Sequence, residues 1–349
     1  MSSIASAAGP LGSLTAEDLA AVPVEVVTRL RGARDVLTVC HENPEADALG
    51  SALAVALAVE QLGGRATPVC ADVVPQMYSF MPRIERFRQD PEEGRPYDLI
   101  VVGDCGELER IGPVLTRNAE LFGRVPIVNI DHHVSNTGFG AVDWIDPTAA
   151  ATCEMDTLLM PALGLPIGAA DGAIAASLLA GVVIDTANFQ HPNTTPRTLR
   201  VAAELVAAGA PLADTARLIY RTKPNAQLKL FGLVLGRLES ELDGRLVWTS
   251  LLQSDFAASQ ADPADSEGLS DLLSQSASGE LVILFKETGP QTRISVRTRE
   301  GGADATVLTG LFGGGGHARA AGATVSLALA EAVPAVLVES RRLLGATGD

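Results

Sequence analysis

Basic residues and aromatic rings are both scarce in this chain of 349 residues. Lys and Arg number 26 against 42 Asp and Glu, for a formal charge of −16, and aromatic side chains make up 4% of the sequence, with only three Tyr and two Trp. A surface of that sign repels long polyphosphate chains, and so few rings give no row of stacking platforms, which argues against long duplex DNA and extended single strands as partners. Cysteine is scarce too. Cys40, Cys70, Cys105 and Cys153 show no C-x-x-C spacing, which argues against a zinc ribbon or a disulfide framework and leads to the expectation of a reducing cytoplasm. No apolar run reaches the ~20 residues of a membrane span, and no cationic start leads into an apolar stretch, so neither a membrane segment nor a secretion signal is expected.

What the chain does have is a high apolar content, 47% of residues, carried by Ala, Val and Leu with abundant Gly. That mixture suits alternating strands and helices. Single cores usually stop growing near ~250 residues, so two domains are expected. From about residue 35 to 186, short β-rich runs at 36–40, 66–71, 98–103 and 125–130 alternate with helical patterns such as the apolar 48–62, which ends at Gly63-Gly64. Residues 170–184 read as a helix on length. Helical segments follow at 198–208, 212–220 and 227–238, and after Leu242-Asp243-Gly244 the pattern changes to strands at 246–252, 281–286 and 293–298, with helices near 267–274 and 303–311. The expected class is α/β: a doubly wound, mostly parallel sheet domain, then a second, smaller α/β domain, with a cleft between them. The expected boundaries are a mobile start over 1–20, a first domain over 21–220, a helical linker over 221–242 and a second domain over 243–349.

Polar residues gather where the apolar runs stop. The first run leads into His41, Glu45 and Asp47, another ends at Asp104, another at Asp131-His132-His133, and the 170–184 segment at Asp185. Ligands of open parallel sheets bind in the crevice outside the carboxyl ends of the strands, so these groups are expected to converge. A single Asp at a strand end is commonly a cap or turn former. Here, however, three of the five histidines of the chain fall at the same places, and so many carboxylates together require a cation. Mixed His and carboxylate donors favour Mn2+ or a similar octahedral metal over a structural zinc.

Taken in order, His41-x3-Glu45-x-Asp47, Asp104, Asp131-His132-His133 and Asp185 resemble the four motifs of the DHH phosphoesterase superfamily. The run from Gly313 through Gly314, Gly315, Gly316, His317 and Arg319 to Gly322 resembles the glycine-rich motif of the DHH-associated C-terminal domain, found in stand-alone oligoribonuclease and phosphoadenosine-phosphate phosphatases. The resemblance spans about residues 36–325 and implies a catalytic first domain and a substrate-binding second one. It also implies two divalent cations, Mn2+ foremost with Mg2+ or Co2+ as alternatives. His41, Glu45 and Asp104 would hold one, and Asp47, Asp104, His132 and Asp185 the other, with Asp104 bridging. His133 would contact the scissile phosphate, Asp131 would steady a neighbouring histidine, and substrate would be bound by Arg297, Gly314, Gly315, Gly316, His317 and Arg319. Family members usually carry Asp where Glu45 stands, and the extra methylene shifts that carboxylate enough to put occupancy of the first cation site in question.

Without the resemblance, the glycine run is a flexible loop whose amides can face an anion; no Lys-Ser/Thr follows it, so it is not a Walker loop. Arg297 falls on an expected strand, and His191 is a loop histidine left without a role. The implied activity is metal-dependent hydrolysis of short oligonucleotides and of 3′-phosphoadenosine 5′-phosphate, with linear or cyclic dinucleotides as alternative substrates. The His317 motif argues against an inorganic pyrophosphatase, and RecJ-like exonucleases are larger. From another class, a nucleotide-binding regulator with weakened catalysis stays open, with Glu45 as its sign. The expected partners are short oligonucleotides or small nucleotides, without long duplex DNA or a membrane, and the resemblance further implies a homodimer.

Overall fold

The computed structural model describes residues 13–299 and 301–345. The chain divides after Thr222 into two compact units. The first contains α1 (Ala16–Ala20), α2 (Val24–Gly32), β1 (Asp35–Val39), α3 (Ala46–Gln61), β2 (Arg65–Val69), β3 (Leu99–Gly103), α4 (Pro113–Arg117), α5 (Ala119–Arg124), β4 (Ile127–Asp131), β5 (Val142–Ile145), α6 (Thr152–Ala162), α7 (Ala173–Asp185), α8 (Pro196–Ala207) and α9 (Leu212–Tyr220). Its five strands pair in the order β2-β1-β3-β4-β5, all parallel. The chain moves outward in one direction from β1 to β2 and in the other from β3 to β5, so the topological switch lies between β1 and β3.

Alternate residues of these strands serve two cores. Val36 and Cys40 pack with α3, α6 and α7 on one face, and Leu37 and Val39 pack with Val114 and Phe122 on the other. Burial on both faces explains why the strands read as continuous apolar runs. The expected strands and the helices at 48–62 and 170–184 are present within a few residues of their predicted ends. The pattern did not reveal β5 or α6. In α6, Glu154, Asp156 and Thr157 are fully buried beside Met155, Leu158 and Leu159, so the helix has no polar face from which a period could be read. Part of the start expected to be mobile, residues 1–12, lies outside the described residues. The rest contains α1, which Asp18 ties to α8 through Arg200 at 2.7 Å.

The second unit begins with α10 (Asn225–Leu235) and continues through β6 (Glu239–Glu241), β7 (Leu246–Leu251), α11 (Gln253–Ser259), α12 (Leu269–Leu273), β8 (Leu281–Thr288), β9 (Gln291–Thr298), α13 (Ala305–Gly310), β10 (Gly315–His317), β11 (Ala320–Val325) and α14 (Leu329–Leu343). Its sheet runs β10-β11-β9-β8-β7-β6, antiparallel except for the β7–β8 pair. Helices α10 to α12 pack on one face, and α13 and α14 on the other. The segment expected as a linker, 221–242, differs. Leu230, Phe231 and Val234 of α10 are buried in a core with Val247 and Leu284, so this helix is built into the second unit. No helix among the described residues is long and apolar enough to cross a membrane.

Asp156 sits in the first core, where among the described residues neither carboxylate oxygen has a hydrogen-bond partner of good geometry, and burial, opposed in part by the Ser51 hydroxyl, pushes its pKa up to about 7. A folded-state pKa above the unfolded value of 3.8 means that the folded protein holds this proton more tightly. The stability that depends on it is therefore full below about pH 4 and is lost as the pH rises through about 7. Asp156→Asn, which cannot ionise, is expected to be more stable than the parent at pH 8 by a few kcal/mol and to show no such gain at pH 4. Urea midpoints at the two pH values check this; an equal difference at both would contradict it.

Candidate active site

Each polar end of the sheet contributes one part of a single cluster. Just past β1, His41 donates from Nδ1 to the Glu42 carbonyl at 2.7 Å. That bond sets the tautomer and aims Nε2 at Glu45 Oε2, 3.3 Å away, and at Asp104 Oδ2, 3.6 Å away. Glu45 also accepts from the Ala48 amide at 3.1 Å as the N-cap of α3, so one carboxylate starts the helix and faces the cluster. Asp104 follows β3 in a left-handed conformation, φ 55°, and is buried. It reaches His132 Nε2 at 3.5 Å, His133 Nδ1 at 3.6 Å and the Thr152 hydroxyl at 3.1 Å. His132 Nε2 also lies 3.2 Å from Asp185 at the end of α7. Asp131, the last residue of β4, accepts from His133 Nδ1 at 2.7 Å and from Asn136.

Asp47 is fully buried in the first turn of α3 and accepts from two backbone amides at the start of α6, Thr152 at 2.7 Å and Cys153 at 2.9 Å. The positive end of α6 thus holds a carboxylate that water does not reach. Glycine makes the approach possible. A Cβ on Gly181 of α7 would stand 2.4 Å from both Asp47 Oδ1 and Cys153 Sγ, and one on Gly50 of α3 would stand 2.5 Å from the Ser177 carbonyl. The sequence reading missed Thr152, Cys153, Gly50, Gly181 and Asn136. The one usable signal was a lone glycine inside each of two apolar helices, which marks close approach.

Among the described residues three groups bring their ligand atoms within 4.8 Å of one another inside each group: His41, Glu45 and Asp104; Asp47, His132 and Asp185; and Asp104, His132 and His133. All seven of the predicted first-unit ligand and phosphate-contact residues lie in these groups. Burial, then the charges of Asp185 and Asp104, drives the Asp47 carboxyl well above its usual range, and burial and Asp104 bring Asp185 up to about 6. Burial opposes the charged form of His132, but Asp104 and Asp185 raise its pKa to about 12; in the same way Asp104 and Glu45 raise His41 to about 10. Acids that resist ionisation beside imidazoles that hold protons indicate a donor set short of positive charge, and a divalent cation fits it.

Directly after Asp185, three consecutive residues, Ala187, Asn188 and Phe189, have φ of 46°, 58° and 64°. The turn is pinned by His191 Nδ1 and Asn193 Nδ2, which donate to the Asp185 carbonyl at 3.2 Å each. His191 therefore braces the backbone behind an acidic side chain of the cluster.

The predicted substrate-binding residues lie in the second unit. Arg297 on β9 stands in register with Ala320 of β11, and Ala320 with His317 of β10. Its Nε donates to Asp271 at 3.0 Å. The glycine run is a hairpin and not the open loop expected of it as a bare motif. A Cβ on Gly314 would stand 2.2 Å from the Gly322 carbonyl and one on Gly316 2.6 Å from the Ala320 carbonyl, whereas Gly315 has open space. Gly314 and Gly316 therefore serve contact between β10 and β11. Exposed Arg319 sits in the turn of this hairpin.

The DHH family N-terminal domain model matches residues 35–209, and the DHHA1 domain model matches residues 249–345. The chain belongs to the DHH family. It is 34% identical over 326 residues to the bifunctional oligoribonuclease and PAP phosphatase NrnA of Thermus thermophilus, covering 93% of this chain and 94% of that protein. It is 26% identical over 290 residues to the protein of the same name from Bacillus subtilis, covering 82% and 87%. Among solved structures, an exopolyphosphatase-related protein from Bacteroides fragilis shares the fold, with a TM-score of 0.81 at 21% identity over 95% of this chain and 100% of that one.

Gly181→Ala places a methyl group against Asp47 and Cys153 and is expected to weaken divalent-cation affinity about tenfold to a hundredfold, the usual effect of disturbing the support of a ligand. Calorimetric cation titration checks this, with circular dichroism to verify the fold. Unchanged affinity in a folded variant would show that Asp47 tolerates displacement.

Proposed function

We propose that the chain is a divalent-cation-dependent phosphoesterase that hydrolyses short oligoribonucleotides and 3′-phosphoadenosine 5′-phosphate. The observation that carries this reading is the position of Asp104, a buried carboxylate reached by His41, His132 and His133 together. The names of the two relatives support the substrate class.

His41, Glu45 and Asp104 would hold one cation, and Asp47, Asp104, His132 and Asp185 a second, with Mn2+ foremost and Mg2+ or Co2+ as alternatives. When bound, the cations supply the Lewis acidity that activates water and offsets charge on the phosphoryl oxygens. The protein's own contribution is orientation and proton control. Asp131 fixes a proton on Nδ1 of His133 and raises the pKa of the ring, so Nε2 can donate to a phosphoryl oxygen. In the second unit, Asp271 holds Arg297 by Nε, which leaves Nη2 for a substrate phosphate, with His317 and Arg319 as further donors. The four buried free thiols support a reducing cytoplasm as the site of action, and the family resemblance supports a homodimer.

Asp104→Asn is expected to lower kcat by roughly a thousandfold or more with the fold intact, because both cation sets lose charge at once. On a ladder running from dinucleotides to long strands, the parent's kcat/KM is expected to fall with length, since added phosphates meet a protein of formal charge −16. Initial rates decide both, and efficiency that rises with length would sink the short-substrate reading. Glu45→Gln is expected to weaken cation binding about tenfold, whereas Glu45→Asp, a ligand and a good N-cap, should keep or raise it. Equal affinity for Glu45→Gln and the parent would remove residue 45 from the ligand set.

A further inference from the structure

Cross-strand partners in an antiparallel sheet point to the same side, so register sorts the sheet of the second unit into two faces. Ile294 and Val296 of β9, with Ala321, Ala323 and Val325 of β11, pack into the core with α13 and α14. The opposite face of β9 carries Arg293, Ser295 and Arg297, which stand across from Thr324, Gly322 and Ala320 of β11. Over β8 this second face is covered at Val282 and Leu284 by the core of α10 to α12, but on β9 and β11 its residues are half-buried or exposed.

At one end of that face Arg293 stands directly opposite Lys286 of β8. Like charges in register repel. Burial, and after it the charge of Arg293, pushes the Lys286 amine below its usual range. Among the described residues no carboxylate forms an ion pair with either side chain. Lys286 donates to the Ser266 hydroxyl at 3.0 Å and lies over the Phe256 ring, and among the described residues the Arg293 side chain has no hydrogen-bond or ion-pair partner. Elsewhere in the same unit Arg237, Arg245, Arg297, Arg299 and Arg341 each hold a carboxylate. In a chain with 42 acidic residues against 26 basic ones, two facing cations without an acid disfavour folding and favour an anion from outside.

We propose that Arg293 and Lys286 form a second phosphate subsite, which takes a backbone phosphate of a short oligonucleotide held along the same sheet face by Arg297. The proposal rests on the substrate class given above. Arg293 and Arg297 are four residues apart on one strand, a span of about 13 Å at ~3.3 Å per residue. Between them lies a floor of Ser295, Gly322 and Gly315, low enough for a chain of sugars to cross. The two phosphates of 3′-phosphoadenosine 5′-phosphate flank a single ribose and cannot reach both arginines. The subsite therefore selects oligonucleotides over that mononucleotide.

The test compares the full chain with Arg293→Gln and, as a second variant, Lys286→Gln. Affinity for a trinucleotide with phosphorothioate linkages, which resists hydrolysis, is measured in the presence of Mn2+ across a salt series. The kcat/KM values for an ordinary trinucleotide and for 3′-phosphoadenosine 5′-phosphate are measured beside it. Arg293→Gln should bind the trinucleotide about tenfold more weakly, as expected for one lost charge-assisted contact, and the slope of log affinity on log salt should become shallower by about 0.7. The trinucleotide-to-mononucleotide ratio of kcat/KM should fall by a similar factor. Because a repulsion is removed, the thermal midpoint without ligand should rise, the reverse of what a structural arginine would show. Unchanged trinucleotide affinity, an equal loss on both substrates or a lower thermal midpoint would overturn the proposal. Failure of the parent to turn over either substrate would defeat the substrate reading instead, and the phosphorothioate affinities would then decide the subsite alone.

Discussion

Three carboxylates, Asp47, Asp104 and Asp185, are brought together largely out of reach of water, and the rest of the first unit is arranged around the repulsion that results. Burial and mutual charge drive Asp47 and Asp185 toward their protonated forms. The surroundings oppose this at fixed points: two amides at the start of α6 face Asp47, and His41, His132, His133 and Thr152 all reach Asp104. These contacts neutralise the cluster only in part, and the remaining demand for positive charge is met by divalent cations in our reading. The same shortage explains why imidazoles rather than amines face these acids. A neutral histidine can give up its place as a proton carrier and act as a ligand without changing position.

The fold meets this constraint through topology and through missing side chains. The reversal of strand order between β1 and β3 leaves a crevice at the carboxyl edge of the parallel sheet, and His41 and Asp104 enter it from adjacent strands. The helices close in only because Gly50 and Gly181 let α3, α6 and α7 pack within contact distance of Asp47. Left-handed backbone at Asp104 and at 187–189 marks where chain direction is subordinated to side-chain placement, a strain of order 1–3 kcal/mol per residue that surrounding hydrogen bonds must hold.

One sheet face of the second unit has the opposite electrostatic character. This face displays arginine, lysine and histidine side chains above small residues, and the glycines of the β10–β11 hairpin keep it flat. An acidic unit that needs cations and a cationic sheet face that needs anions suit the two ends of one requirement, the handling of phosphates. This also reconciles a net charge of −16 with a polyanionic substrate, because the charge average conceals a local patch of the other sign.

Much of this was legible in the sequence. Buried parallel strands must be continuous apolar runs, so β1 to β4 announced themselves, and the polar residues ending those runs had to meet at the crest of the sheet. His41, Glu45, Asp47, Asp104, His132, His133 and Asp185 were therefore identifiable before their geometry was known. Other features depended on contacts between segments far apart in the chain. Helix α6 was hidden because its polar residues are buried, so amphipathic periodicity carried no signal. The hairpin in the glycine run forms locally, with Gly315 and Gly316 opposite Gly322 and Ala321, but its place in the sheet depends on β11 pairing with the more distant β9, a register that composition does not encode. The assignment of α10 to the second unit depended on which core buried Leu230 and Phe231. The opposition of Lys286 and Arg293 likewise exists only through strand register, where a one-residue slip would turn the two charges to opposite faces. Local apolar period and the chemistry of strand ends were thus determined by the sequence itself, while pairing register and close helix approach were decided only when the tertiary structure formed.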